Sequence, residues 1–374
     1  MFTKLHLENF LSFRGPVDIP LRPLTVLVGA NNAGKSNLLL AFRFLAGVAK
    51  RTAFSTVAEQ LHRNLAELTC RNGASPAFTL GVFAQDTSHS GVPSGDVTYE
   101  LRLRPGTPGI PLLLEREHFR AVDTSGAVVE KQGVDSSQRS ESPCFGSAKP
   151  LISHFGNQLA SIAYFKFSPS ALRKPTAIVP NPVLGDDGAG LPAVLEYLRD
   201  EHPDRFQKIE EEFRHCVPEV ERIQLRTTPS REKAVLLKER GCKEPFGAEE
   251  ISDGLLLFLA ILCCINEEPK PALLLLEEPE HGVHPRRLKD VVDLLYSLCE
   301  ANGAEPPTQI LLTTHSPYLL DQFKDDLGAV LVLEKGEQGS IVRTASEAIG
   351  KNGGLHGSPL GEVWYSGILG GVPA

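Results

Sequence analysis

The sequence predicts an α/β fold built on a mixed sheet, with a β-rich flank on its N-terminal side and a helical insertion in the middle. Three observations carry this. Residues 29–36 read GANNAGKS, which fits G-x-x-x-x-G-K-S/T, the phosphate-binding loop of P-loop NTPases. The apolar run at 24–28 stands immediately before it as a buried strand, and helix-forming residues 38–45 follow. From residue 246 onward, apolar strands and helices alternate. Gly29 and Gly34 let the backbone fold tightly around an anion. Successive N–H groups and the helix dipole then face the phosphates. The candidate nucleotide contacts are Gly29, Asn31, Asn32, Ala33, Gly34, Lys35, Ser36 and Asn37. Lys35 can reach the β- and γ-phosphates of ATP, and the Ser36 hydroxyl can ligate Mg²⁺.

In chain order, residues 2–8 alternate apolar and polar and read as a strand. Residues 17–21 and 24–28 read as the second and third. Two antiparallel strands are thus expected to join the loop strand in one mixed sheet, with Ser12, Phe13 and Arg14 at its rim. Arg14 is either a nucleotide contact or an ordinary turn residue. Residues 58–68 read as a helix, and 77–84, 97–103, 112–119 and 127–131 as strands separated by Gly, Pro and Ser turns. Residues 133–147 are polar and serine-rich and read as a mobile loop. A short strand at 162–167 follows, then a charged helical stretch at 191–216 broken near Pro203, then a hairpin at 223–226 and 234–238. The remaining elements are helix 254–265, strand 273–276, helix 285–300, strand 309–313, helix 317–323 and strand 330–333. The glycine-rich residues 353–374, with the only tryptophan, Trp364, read as a loop-like tail that wraps back. This divides the chain into an N-terminal lobe (1–165), a helical and hairpin insertion (166–245) and a C-terminal lobe (246–374).

The chain has 374 residues, 41% of them hydrophobic, enough for one large or two modest domains. Its net charge of −8 argues against non-specific coating of nucleic acid. DNA contact stays open through a local patch of Lys149, Lys166, Arg173 and Lys174, or these are ordinary surface. The seven cysteines are scattered and form no C-x-x-C pair, which argues against a zinc or disulfide framework and fits a reducing cytosol. No signal peptide is expected at the N-terminus. The longest apolar stretches, 255–265 and 272–276, fall short of the roughly 18 residues of a membrane span, so a cytoplasmic location is expected.

The second half of the chemistry lies far downstream. Residues 273–280 read LLLLEEPE, an apolar strand tipped by two carboxylates, as in a Walker B motif. Glu277 is placed to hold Mg²⁺, directly or through water. Glu278 can orient and deprotonate the attacking water. Residues 313–317 read TTHSP, and His315 at that strand tip can donate to a γ-phosphate. Residues 251–254 read ISDG at the start of an apolar helix. Ser252 and Asp253 are candidate N-caps, and with Gly254 they can aim that helix N-terminus at a phosphate.

GANNAGKS, ISDG, LLLLEEPEHGVHP and TTHSP, in that order, resemble an ABC-type ATPase head of the SMC/RecF group. Residues 4–39 and the tail SPLGEVWYSGILGGVP resemble, more closely, short stand-alone ATPases related to the OLD family. The resemblance is strong over 1–50 and 246–335 and weak between. It implies two heads sandwiching two ATP molecules, with Lys35 and Ser36 of one protomer facing Ser252 and Gly254 of the other. Three departures stand out. Leu255 replaces the usual polar residue after the signature. No Q-loop glutamine can be assigned, Gln158 being the nearest. The long coiled coil is missing. Only about 40 residues follow the last predicted strand, too few for the Toprim nuclease of the OLD family, so an effector would be a separate polypeptide.

The expected function is therefore an ATP-hydrolysing, nucleotide-gated dimer that drives or regulates a partner, in DNA repair or anti-phage defence. A sensor or scaffold with little turnover is the alternative. A transport ATPase is a third option, because a shared fold does not fix function.

Overall fold

The computed structural model describes residues 1–63, 67–70, 75–86, 95–107, 110–123, 125–137, 140–147, 149–266, 268–300, 307–337, 339–351 and 357–372. A six-stranded sheet carries the phosphate loop, in the order Gly339–Thr344, Val330–Gly336, Leu24–Gly29, Gln309–Thr314, Leu273–Glu277, Ala163–Phe165. Its neighbours run parallel except the antiparallel edge strand Gly339–Thr344. Parallel strands are covered on both faces and so read as continuous apolar runs. Leu24–Gly29 and Gln309–Thr314 are accordingly buried at every position. Alternate side chains enter opposite layers. Leu274 and Leu276 join one cluster, with the helices Asp253–Ile265 and Leu288–Cys299. Leu273 and Leu275 join the other, with the helices Lys35–Ala49 and Pro150–Ala160.

The second layer is an antiparallel sheet in the order Val17–Pro20, Phe2–Glu8, Phe78–Asp86, Gly95–Thr107, Ile110–Asp123, Val128–Ser137. The first two strands pair with each other as expected, but not with the loop strand. Both edges of Leu24–Gly29 are already taken, by Gln309–Thr314 and Val330–Gly336. A buried side chain instead ties the sheets together. The Gln309 amide accepts from the Phe2 N–H at 2.9 Å and donates to the carbonyls of Phe2 at 2.7 Å and Arg22 at 2.9 Å. These backbone groups would otherwise be buried without partners.

A third, smaller sheet pairs Val220–Thr227 with Glu232–Glu239, the expected hairpin, which Phe246–Gly247 and Thr176–Ala177 extend. The charged stretch before it forms the helices Leu191–Glu201 and Pro203–Cys216. Among the described residues no helix is long and apolar enough to cross a membrane.

Four further differences from the sequence reading appear. The helix expected at 58–68 runs from Phe54 to Gln60, and residues 64–66 lie outside the described part. The loop expected at 133–147 begins as strand to Ser137 and then packs inward, apart from residues 138–139, which lie outside the described part. There the buried Glu117 carboxylate accepts from the Tyr99 hydroxyl at 2.7 Å, the Ser142 hydroxyl and the Cys144 N–H at 3.0 Å. The helix Pro150–Ala160 was not foreseen. Its interior Gly156 lowers helix propensity, yet a Cβ there would lie 2.9 Å from the Phe145 ring. The tail is not wholly loop-like: Leu360–Tyr365 is helical and buries Trp364. It does wrap back, since the Gly371 N–H donates to Glu334 at 3.1 Å beside the loop strand.

Candidate functional site

Four parallel strands end on the same edge of the core sheet, which is where open α/β sheets bind ligands. Leu24–Gly29 delivers the phosphate loop, Leu273–Glu277 the two carboxylates, Gln309–Thr314 His315, and Ala163–Phe165 Lys166. Lys35 opens the helix Lys35–Ala49 and is buried. Its ammonium donates to the carbonyls of Gly29 at 2.7 Å and Ala30 at 3.0 Å. Burial pushes the amine down to about 8, against the upward pull of Glu278 and Glu277. Gly34 has φ +112°, and a Cβ there would lie 2.5 Å from the Ser340 hydroxyl, so only glycine fits. Asn31 and Asn32 are exposed at the loop tip, Asn32 with φ +65°, while Ala33 is buried. Asn37 points elsewhere: its amide donates to the Ser12 hydroxyl at 2.9 Å, and Ser340 donates to Ser12 at 2.7 Å. The N-terminal turn therefore braces the loop through Ser12, while Arg14 backs onto Gly339.

The two carboxylates have different surroundings. Glu277 accepts from the Ser36 hydroxyl at 3.1 Å, the Tyr164 hydroxyl at 2.8 Å and the Lys166 ammonium at 2.8 Å. Burial pushes its carboxyl up, but the bonds from Lys166, Tyr164 and Ser36 outweigh this and hold it below the ordinary value. Glu278 has φ +52°, a left-handed backbone that costs a non-glycine residue about 1–3 kcal/mol and clusters at functional sites. Its N–H donates to the Thr313 carbonyl at 3.1 Å and hydroxyl at 3.2 Å. Its carboxylate lies 3.6 Å from His315 Nε2. Burial, and then Lys35, hold the His315 imidazole below its ordinary value.

Sequence reasoning gave three residues here no role at the nucleotide site. Tyr164 and Lys166 grip Glu277 from the neighbouring strand. The partly buried Glu280 accepts from the Thr314 hydroxyl at 2.6 Å and the His315 N–H at 3.0 Å, fixing the turn that carries the histidine. Burial raises its carboxyl. The third acid of E-E-P-E was the available signal for Glu280. Nothing local marks Tyr164, because strand order alone places it beside Glu277. Gln158 precedes the strand Ala163–Phe165 and so stands at the opposite end of the sheet, bonded to His154 at 3.1 Å.

The ISDG segment has its own surroundings. Ser252 caps the helix Asp253–Ile265, accepting from the Leu255 N–H at 3.4 Å. Asp253 does not cap: it pairs with Arg173 at 2.6 Å. The same guanidinium donates to the carbonyls of Ala248 at 3.0 Å and Ile251 at 2.7 Å. Lys166 and Arg173, two of the four cations of the expected patch, are thus engaged with carboxylates. Gly254 packs against the turn after the carboxylates, where a Cβ would lie 2.5 Å from the Gly282 carbonyl oxygen. A cavity of about 430 Å³ opens here, lined by Ser252, Leu255, Phe258, Val283 and their neighbours. It is separate from the phosphate loop, whose cradle is backbone. Among the described residues, no hydrogen bond or ion pair joins residues 29–37 to residues 252–254.

The donor set fits magnesium. Ser36 and Glu277 offer two hard oxygens 3.1 Å apart, and among the described residues no cluster of three metal-ligating side chains occurs. Mg²⁺ is commonly held by one or two protein oxygens together with substrate phosphates and water.

Parallel strands ending in a phosphate loop, paired carboxylates and a histidine define an ABC-type, SMC/RecF-like ATP-binding head. The chain belongs to the family described as "AAA domain, putative AbiEii toxin, Type IV TA system", whose model matches residues 24–142 and 150–321. It is similar to the chromosome partition protein Smc of Cereibacter sphaeroides, 40% identical over 82 residues, a match that spans 21% of this chain and 7% of that protein. A solved Smc head bound to the C-winged helix domain of ScpA shares the fold at TM-score 0.58 and 15% identity, over 93% of this chain and 99% of that one. An Smc head with an extended coiled coil, bound to the C-terminal domain of ScpA derived from Pyrococcus furiosus, shares it at 0.54 and 13%, over 94% and 98%.

Proposed function

We propose that the chain hydrolyses ATP as a head that closes over its nucleotide against a second copy, and that this cycle drives or regulates a separate partner protein. The observation that carries the reading is the convergence of Lys35, Ser36, Glu277, Glu278 and His315 at one end of neighbouring parallel strands. Lys35 and the loop N–H groups would bind the β- and γ-phosphates. Ser36 and Glu277 would hold magnesium, which when bound supplies charge neutralisation at those phosphates. Glu278 would take the proton of the attacking water, and His315 would donate to the γ-phosphate. Ser252 and Gly254 of the second copy would complete the phosphate shell.

The test is ATP turnover by wild type and Glu278→Gln. Removing a general base costs about 10²–10⁴-fold in turnover. The expected variant binds ATP and turns it over slower by that factor. Wild type that hydrolyses no ATP, with or without DNA, would overturn the reading.

The partner draws support from the solved Smc heads, which are titled as bound to domains of ScpA. The family description names a putative toxin and a Type IV TA system, and a role in DNA repair or anti-phage defence stays part of the proposal. In the second reading, ATP binding alone fixes an assembly with an effector and turnover is slow. Sizing the protein with and without ATP separates the two from a nucleotide-indifferent protein.

A further inference from the structure

Lys166 stands at the nucleotide end of the strand Ala163–Phe165, and its position is built. Its N–H donates to the Asp186 carbonyl at 2.7 Å, and the Ser168 N–H donates to that of Asp187 at 2.8 Å. Tyr164, one pleat earlier, lies under the Arg43 guanidinium at 3.9 Å from the ring centroid, and Arg43 pairs with Asp186 at 2.9 Å. The strand exit is therefore pinned from both sides, while the lysine side chain itself is 57% exposed. Its ammonium shares one atom with the loop: Glu277 Oε1 accepts from Lys166 at 2.8 Å and from Ser36 at 3.1 Å.

The proposed function asks the same Ser36 and Glu277 oxygens to hold a divalent cation, and the inference rests on that reading. An ammonium and a divalent cation on one carboxylate oxygen repel each other. A bound triphosphate would bring a new anion to this end of the sheet, and a lysine on a flexible four-carbon stem can follow it. We propose that Lys166 is a phosphate-binding residue that exchanges partners, leaving Glu277 for the terminal phosphate when a magnesium–nucleoside triphosphate enters. The triphosphate would then be gripped by Lys35 from the loop and by Lys166 from the edge strand. A diphosphate offers Lys166 no terminal phosphate in that place, so the residue would favour ATP over ADP.

The experiment uses Lys166→Met, which keeps length and removes charge, and Lys166→Arg, which restores charge. Fluorescent ATP and ADP analogues are titrated across a range of Mg²⁺ concentrations. For Lys166→Met, the ATP-over-ADP preference is expected to fall about 10-fold, as for one lost charge-assisted contact. The Mg²⁺ concentration giving half-maximal ATP binding is expected to fall severalfold, because the competing ammonium is gone. Lys166→Arg should recover most of the ATP preference. Unchanged preference and unchanged Mg²⁺ dependence in Lys166→Met, with wild type binding both nucleotides, would overturn the role of Lys166 and leave the ATPase reading standing. Wild type that binds neither nucleotide would overturn both.

Discussion

The loop edge and the signature edge are both built from residues that look like nucleotide contacts, yet they differ in completeness. At the loop edge, side chains converge within one chain: Ser36, Tyr164 and Lys166 hold Glu277, and Glu280 holds the His315 turn. At the signature edge, Ser252 caps its own helix, Asp253 pairs with Arg173, and Gly254 abuts Gly282. None of these three is bonded to the loop among the described residues. One edge thus gathers its charged groups from its own chain, while the other is organised to hold a helix N-terminus in place. An N-terminus of this kind favours an anion. The contrast is what the proposed site, shared between two copies, would require.

The largest effect on this contrast is expected at the loop. Lys35→Ala removes charge-assisted bonds worth about 1.5–3 kcal/mol, so nucleotide affinity should fall about 10- to 100-fold. Titration with a fluorescent ATP analogue measures this, and affinity within twofold of wild type would break the assignment of the loop edge. Arg173→Ala should act on the other edge alone. It frees Asp253 and two carbonyls of the segment before the helix. Nucleotide affinity of the isolated chain should stay within about twofold, while ATP-dependent self-association weakens about 5-fold, for one part-exposed charged contact of roughly 1 kcal/mol. Light scattering with and without ATP reads the second, and equal loss of both would erase the distinction.

The smallest effect is a titration. Burial and Lys35 hold the His315 imidazole below its ordinary value of 6.5. The ring should therefore be neutral at pH 7. Because its folded value is lowered, the unfolded chain takes up the proton first as pH falls. The histidine's contribution to stability is thus present above 6.5 and is lost as pH falls below it. The ring resonance, assigned with His315→Gln, should show its midpoint below 6.5; a midpoint above that value would contradict the half-buried setting beside Lys35.

Legibility in the sequence followed the range of the forces involved. The loop, its strand and its helix are contiguous, so spacing and apolar pattern were sufficient. The strands ending at Glu277 and His315 were legible because parallel strands buried on both faces read as unbroken apolar runs. The sheet membership of Phe2–Glu8 was not, because it depends on which edges of Leu24–Gly29 other strands occupy. Pro150–Ala160 was missed because packing against Phe145 and the helix Lys35–Ala49, rather than propensity, sustains it. Asp253 read as a cap or a phosphate contact, and only tertiary structure brings Arg173 to it. Lys166 read as a surface cation for the same reason: Glu277 lies more than a hundred residues away in sequence and one strand away in space.

The claim that one ATP site needs two copies is tested most directly by mixing two crippled variants. Lys35→Ala keeps an intact signature edge, and Ser252→Arg keeps an intact loop edge. Each alone should hydrolyse little ATP. Mixed in equal amounts, they should regain a substantial fraction of wild-type turnover, because a mixed pair assembles one complete site. No gain over the separate variants, when both still associate with wild type, would contradict a shared site and place all of the chemistry within a single chain.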